Sequence, residues 1–183
     1  METPNLQYHV QPLSLEKFGE PLHPFPAITA SVCNLRPDSR GHIRINSPDA
    51  RTKPSIRPNY LTADTDRKIA ANALKLTRRI VGATAMKKYQ PEEYLPGLQV
   101  ASDEDLARAA GDIATTIFHP VGTCKMGSDD MAVVDERLRL RGLRGLRIAD
   151  ASIMPTITSG NTNSPTIMIA EKATDMIKED HAV

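Results

Sequence analysis

The feature that most limits the fold of this chain is the placement of its 14 prolines along 183 residues. Five of them lie in residues 1–26, so this segment is predicted to be irregular or extended. Proline lacks an amide hydrogen and fixes φ at about −65°. The connector "PDARTKPSIRPNY", residues 48–60, is therefore expected to form loops or edge strands. Longer helices and strands have to lie between such segments.

Strands are predicted in two places by β-branched and alternating residues. The run "AITASVCNL", residues 27–35, is followed by the turn sequence "RPDSRG" and by "HIRI", residues 42–45. Together these segments predict a hairpin of antiparallel strands. Further along, "AVVDERLRLRGLRGLRIAD", residues 132–150, alternates apolar and basic residues around two glycines and predicts short strands joined by tight turns.

Two helices are predicted in the middle of the chain from apolar periodicity and capping residues. Thr62 is expected to cap a helix that ends at Gly82, with aspartates such as Asp66 in the first turn, where the helix dipole favours negative charge. Ser102 is expected to open a second amphipathic helix whose apolar stripe extends to Ile117. Ordinary core packing explains both stripes.

The last predicted helix has the clearest start. Ser164 is expected at the N-cap and Pro165 at the first helical position, followed by apolar residues at helical spacing. The first turn of such a helix presents free N–H groups and a partial positive charge. It could therefore lie against an anionic or electron-rich group.

The charge and the cysteine content of the chain argue against several classes of function. Lys and Arg number 23 against 22 Asp and Glu, so there is no basic field to attract nucleic acid, and a small or neutral substrate suits the chain better. Cys33 and Cys124 lie far apart without a CxxC pattern, which argues against zinc and against a disulfide framework and is compatible with a reducing cytoplasm. No apolar run of transmembrane length and no signal peptide are found. We expect a soluble cytoplasmic protein, with any membrane association made through the intact protein.

A histidine stands on a conformationally restricted loop in "TTIFHPVGTCKMG", residues 115–127. Pro120 fixes its own φ and disfavours the α region for His119, while Gly122 and Gly127 permit turns that other residues resist. The imidazole is therefore held on a bent, rigid loop. A buried loop histidine that bonds a backbone carbonyl is the alternative to a catalytic one.

Three segments carry a resemblance to a known family: "FHPVGTCKMG", "VVDERLRLRGLRGLRIADASIMP" and "SGNTNSPTIMIAEKATDMI". In this order they closely resemble the C-terminal portion of the glucose-methanol-choline (GMC) family of flavin oxidoreductases, particularly its choline dehydrogenase-like members. The specific motifs run from about Phe118 to Lys178. The order of strand, connector and helix from about Ala27 to Met86 also resembles the substrate domain of the family, with less specific motifs.

The resemblance implies an α+β fold. It consists of an antiparallel-sheet substrate domain with packed helices, followed by the C-terminal strand and helix of a Rossmann-like FAD domain. On this basis we expect an irregular Pro-rich segment at 1–26, a substrate-domain part with the catalytic histidine loop at 27–127, and a return to the FAD domain at 128–183.

The resemblance also implies a catalytic pair. In the family, the histidine of the HPxGTxxMG motif accepts the hydroxyl proton of an alcohol, which corresponds to His119 here. The residue heading the turn before the last helix bonds the same substrate oxygen and corresponds to Asn161, with Asn163 as the near alternative. An Asn that only tolerates the turn is the other interpretation of Asn161.

FAD is the cofactor that the resemblance implies, and no metal is expected. The "DAS" segment of the family passes the ribityl and pyrophosphate part of FAD, which corresponds to Asp150 and Ala151. The start of the last helix approaches the pyrimidine ring, which corresponds to Pro165 and Thr166, next to Asn161. Asp150 also suits a plain turn at the end of a strand.

One family motif is missing from the chain. The GxGxxG turn, which holds the ADP half of FAD, occurs nowhere in these residues. The N-terminal FAD-binding half is therefore expected to be a partner outside this sequence, and the resemblance implies an intact protein roughly three times as long.

The expected reaction of that intact protein is oxidation of a primary or polar alcohol to the aldehyde, with electrons passing to a quinone, another carrier or oxygen. The alternatives are a non-catalytic remnant that binds a partner supplying the missing half, and lyase chemistry with the same histidine.

Overall fold

The computed structural model describes residues 3–17 and 19–181; residues 1, 2, 18, 182 and 183 of the predicted segments lie outside the described residues. Helices are combined with small antiparallel sheets, which confirms the α+β class. The strands are β1 Leu6–Gln11, β2 Thr29–Asn34, β3 His42–Arg44 and β4 Ser55–Arg57. The α-helices are α1 Asp64–Val81, α2 Asp103–Ile113 and α3 Asn163–His181, and short 3-10 turns occupy Thr84–Tyr89 and Ala151–Ile153.

The chain forms two compact units. Unit 1 comprises Met1–Arg40 and Asn59–Thr115, and unit 2 comprises Gly41–Pro58 and Thr116–Val183. All the candidate site residues belong to unit 2. The division of the intact protein into a substrate part and an FAD part remains a prediction.

The strand pairing differs from the predicted hairpin. β2 pairs with β1 in antiparallel register from Leu6–Asn34 to Gln11–Thr29, and β3 pairs with β4. The prediction that residues 27–35 pair with 42–45 is therefore wrong. The Pro-rich segment at 1–26, predicted to be irregular or extended, contains the strand β1. β1 is a proline-free run between Pro4 and Pro12 that matches β2 residue for residue, whereas β3 has only three residues.

In unit 1 the long helix α1 packs against both β2 and α2. The Tyr8 hydroxyl of β1 lies 3.0 Å from Thr77 Oγ1 of α1, and Leu106 of α2 is fully buried. Arg78 and Glu93 form a two-pronged ion pair with N–O distances of 2.7 and 2.8 Å, which holds the loop before α2 against α1.

Asp66 joins the first turn of α1 to the loop after β2. Its carboxylate is buried and accepts hydrogen bonds from Asn34 Nδ2 at 3.1 Å, from Asp38 N at 2.9 Å and from Ser39 N at 2.8 Å. Desolvation alone raises the pKa of Asp66, but the hydrogen bonds from Ser39 and Asp38, with the charge of Arg40, outweigh it and hold the pKa below its usual value. Because of these hydrogen bonds, the "RPDSRG" segment lies against the first turn of α1 and does not form a hairpin turn.

The predicted ends of the first two helices are partly confirmed. Thr62 does not cap α1: its hydroxyl donates to the Asn59 carbonyl, and the N-cap position is held by Ala63 without a side-chain cap. Ser102 does cap α2, since its hydroxyl oxygen accepts from Asp105 N at 3.1 Å. This helix ends four residues before Ile117, because the chain turns to extended geometry at residue 114.

We predict that Asp66→Asn lowers the free energy of unfolding by about 1–3 kcal/mol, because an amide NH₂ group would face backbone N–H donors. Since the folded pKa is depressed, the stabilisation is complete above the unfolded pKa of about 3.9 and is lost as pH falls through the lower folded value. Urea unfolding at neutral and acid pH measures both effects.

The control for this prediction is Asp64→Asn, a change of the exposed aspartate in the same helical turn. It should cost only a few tenths of a kcal/mol, about the value of a surface charge at a helix start. Equal losses for the two variants would contradict the role assigned to Asp66.

Candidate functional site

His119 lies outside every helix and strand, as predicted, and is half-buried. The residue before it is unusual: Phe118 has φ 64°, in the left-handed region that a bulky side chain rarely adopts. The Phe118 N–H donates to Thr116 Oγ1 at 3.0 Å, which closes the turn. The direction of the His119 backbone is therefore set on one side by this turn and on the other by Pro120. No sequence pattern predicts a left-handed aromatic residue at this point.

The loop after His119 runs beside the "DAS" segment. Cys124 N donates to the Ser152 carbonyl at 3.0 Å, and Met126 N donates to the Ile153 carbonyl at 2.8 Å. Gly122 has φ +83°, and a Cβ there would lie 3.3 Å from the Met154 carbonyl oxygen. Two segments separated by about 30 residues in sequence are therefore joined through their backbones.

One apolar core holds these segments and the last helix together. Its buried members come from the 134–138 turn, from the residues after Asp150 and from α3: Val134, Leu138, Ile153, Met154, Ile169 and Ala173. Val121 of the histidine loop packs against this core. The three motifs that suggested the family are thus brought together in unit 2.

The strands predicted in 132–150 form only in part. Residues there make isolated bridges, Met126–Val134, Val134–Leu140 and Arg139–Arg147, without a named strand in the described part of this segment. A strand needs a backbone partner along its length, and these turns pair at single positions. The tight turns themselves are confirmed by the left-handed glycines Gly142 and Gly145.

Asp150 is exposed, and its Oδ1 accepts a hydrogen bond from Ser152 N at 2.7 Å. The carboxylate therefore caps the short 3-10 turn that begins at Ala151, which agrees with the plain turn-forming interpretation. Its cofactor role remains a prediction.

The start of α3 lies two residues earlier than predicted. The helix begins at Asn163, and Thr166 N donates to the Thr162 carbonyl at 3.0 Å, which puts Thr162 and not Ser164 at the N-cap position. Pro165 is consequently the third helical residue. Thr162 is buried while Asn161 is exposed, so the turn holds the backbone inward and leaves the Asn161 side chain at the surface.

The far end of α3 is held by a cluster that sequence reasoning missed. Asp180 is paired with Arg139 and Arg147 and lies 2.9 Å from Arg137. The hydrogen bond from Arg139, opposed by desolvation and reinforced by Arg147 and Arg137, lowers the pKa of Asp180 to about 2. The alternating arginines at residues 137–147 are the sequence feature that could have predicted this cluster. Because it joins the far end of α3 to the turns of the core, it restrains the helix whose first residues form the candidate site.

In the described residues, no group of three His, Cys, Asp or Glu side chains is placed to hold a metal ion. The described helices also include none long and apolar enough to cross a membrane.

A family model described as GMC oxidoreductase matches residues 37–170, and this chain belongs to that family. The oxygen-dependent choline dehydrogenase of Chromohalobacter salexigens is 43% identical over 97% of this chain and 32% of its own length. The resemblance to choline dehydrogenase-like members is thereby confirmed. The chain spans about a third of the length of the curated relatives that it matches, and it corresponds to their C-terminal part.

Solved structures share the fold. Pyridoxine 4-oxidase from Mesorbium loti superposes with a TM-score of 0.88 at 30% identity, over 97% of this chain and 35% of that one. A formate oxidase from Aspergillus oryzae, studied for the effect of a mutation on its FAD modification, gives 0.77 at 28% identity over 91% of this chain and 30% of that one.

We predict that Gly122→Ala destabilises unit 2 more than Gly142→Ala does. Both glycines have nearly the same left-handed φ, +83° and +84°, so both variants pay the same backbone cost. Only at Gly122 would the new Cβ meet a carbonyl oxygen, that of Met154, whereas Gly142 has nothing within 4 Å. The difference in free energy of unfolding should be roughly 1 kcal/mol. Equal losses in urea unfolding would show that the loop moves freely relative to Met154.

Proposed function

We propose that the intact protein containing this chain oxidises the CH–OH group of an alcohol to a carbonyl, with His119 as the general base. The observation that supports this most is the single core that joins the histidine loop, the "DAS" segment and α3. Membership of the GMC family agrees with it. Bound FAD would accept the hydride from the substrate carbon.

His119 would take the hydroxyl proton of the alcohol. An alcohol releases hydride from carbon readily only as its oxygen loses a proton, so a base with a pKa near the working pH has to stand within hydrogen-bond reach. An imidazole, with a usual pKa of about 6.5, meets this need. The half-buried position and the turn made by Phe118 and Pro120 would keep the ring in one orientation through the reaction.

Asn161 would donate a hydrogen bond to the developing alkoxide. An amide can do this without titrating, and its exposed position just before α3 leaves the side chain accessible to a substrate. The partial positive charge at the start of α3 would add stabilisation for negative charge nearby.

The residues proposed to hold FAD have suitable chemistry. The first turn of α3 would offer the backbone N–H groups of Asn163 and Ser164, which have no acceptor within the helix, and the neutral side chains of Pro165 and Thr166 to an electron-rich ring. The small side chain of Ala151 would let the backbone approach the cofactor closely, and the second carboxylate oxygen of Asp150 would accept a hydrogen bond from a ribityl hydroxyl. The pyrophosphate site has to come from the segment that carries the glycine turn.

We predict that His119→Ala in the intact protein slows flavin reduction by about 10²–10⁴, the usual contribution of a positioned general base. Anaerobic stopped-flow measurement of flavin reduction by the alcohol tests this directly. An unchanged rate would return His119 to a structural role.

We predict that Asn161→Asp slows the same step by about 10² or more, because a carboxylate replaces the donor where negative charge develops. The melting temperature should change little, since size and turn preference are kept. Asn163→Asp is the matched control: it adds a negative charge at the first residue of α3, where the helix dipole tolerates it, so stability should stay near normal and the rate should fall much less than in the Asn161 variant. A slow Asn163 variant beside a normal Asn161 variant would move the assignment by two residues.

The second candidate is a non-catalytic remnant that binds a partner supplying the missing half. It is favoured by the absence of the GxGxxG turn from the 183 residues. A fusion of this chain to the N-terminal part of a relative distinguishes the two candidate functions. Flavin reduction by an alcohol in the fusion supports the enzyme, and a stable flavoprotein without turnover supports the remnant. The substrate alcohol and the electron acceptor, a quinone or oxygen, would be identified in the same preparation.

A further inference from the structure

The hydroxyl of Thr116 is bound to the backbone of the histidine loop. Thr116 lies three residues before His119 and is half-buried, and its Oγ1 accepts the Phe118 N–H at 3.0 Å. Thr115, the preceding residue, is exposed, and its hydroxyl makes no hydrogen bond to any described residue. Two neighbouring threonines therefore differ in one respect that can be tested, the acceptor that only Thr116 provides.

This acceptor supports Phe118 in a backbone conformation that a bulky residue rarely adopts. Its φ of 64° is left-handed, and in that region the Cβ crowds the carbonyl oxygen that follows. Relaxation to the ordinary region near −60° would turn φ by roughly 120°. Such a turn would change the direction in which the chain enters His119.

The other side of His119 is restrained and cannot take up such a change. Pro120 limits the backbone of the histidine to extended geometry. The loop that follows is held to the "DAS" segment by backbone hydrogen bonds. A change at Phe118 therefore falls on His119, because the histidine lies between the turn and the restrained part of the loop.

The imidazole of His119 depends on this backbone for its orientation. Within residues 3–17 and 19–181, no group forms a hydrogen bond, an ion pair or a ring contact with it. A catalytic base is ordinarily oriented by a third group within hydrogen-bond reach. The described part of the chain offers the turn closed by Thr116 in place of such a group.

We infer that Thr116 is a positioning residue for His119: by holding Phe118 left-handed, its hydroxyl sets the direction of the imidazole. This rests on the proposed function, in which His119 is the general base. The effect of a base depends on its placement, and an error of about 1 Å can cost roughly 100-fold in rate. The hydroxyl therefore affects the rate without contacting the substrate.

The test replaces Thr116 by valine in the intact protein, since valine keeps the β-branched shape and removes only the hydroxyl. The limiting rate of anaerobic flavin reduction should fall by about 10- to 100-fold, with little change in the alcohol concentration that gives half of this rate. The melting temperature should fall by about 2 °C or less, because one exposed hydrogen bond is lost. Hydrogen exchange of the Phe118 amide, followed by mass spectrometry, should become about 5- to 10-fold faster.

Three further variants are the controls. Thr116→Ser keeps the acceptor and should restore a nearly normal rate and normal exchange. Thr115→Val removes the neighbouring hydroxyl, which bonds no described residue, and should be neutral. In the His119→Ala protein, the addition of Thr116→Val should slow flavin reduction no further, because Thr116 acts only through the histidine.

The result for His119→Ala separates this inference from the proposed function. A slow His119→Ala protein beside a normal Thr116→Val protein would overturn the inference alone, whereas a normal rate in His119→Ala would overturn both. Equal losses from Thr116→Val with and without the histidine would also contradict the inference, because the hydroxyl would then act on the whole loop. A fall in melting temperature of more than about 5 °C would assign the hydroxyl to stability instead.

Discussion

The candidate site depends on the packing of α3 against the residues that follow Asp150. Ile169 and Ala173 meet Ile153 and Met154 in a core that also receives the histidine loop through Val121. Without this contact the loop, the turn and the helix start would be three separate surface segments. Because apolar packing is non-directional, the backbone hydrogen bonds from residues 124 and 126 are needed to set the register of the loop.

Two further restraints act at the ends of this assembly. The arginine cluster around Asp180 joins the last turn of α3 to residues 137–147 through several ion pairs. Near His119, the left-handed Phe118 stores local strain that the Thr116 hydroxyl offsets by accepting its N–H. A base held in this way would lose little freedom when a substrate binds.

Family membership and fold class followed from a few local motifs, and so did the Ser102 cap and the loop character of His119. Predictions that depended on contacts between residues far apart in the sequence were less accurate. The hairpin between 27–35 and 42–45 looked plausible because a turn sequence lies between the runs, yet Asp66 on α1 takes the backbone donors of that turn. Thr62 failed as a cap because the Asn59 carbonyl accepts its hydroxyl hydrogen bond.

By itself, the sequence determined the approximate positions of the three α-helices, the stiffness around Pro120 and the type of side chain at each candidate position, since these depend on neighbouring residues and backbone stereochemistry. The tertiary structure decided which strand pairs with which and which segments share a core. It also decided that Asp180 pairs with three arginines. These outcomes depend on contacts between residues far apart in the chain, where burial and matching lengths outweigh local preference.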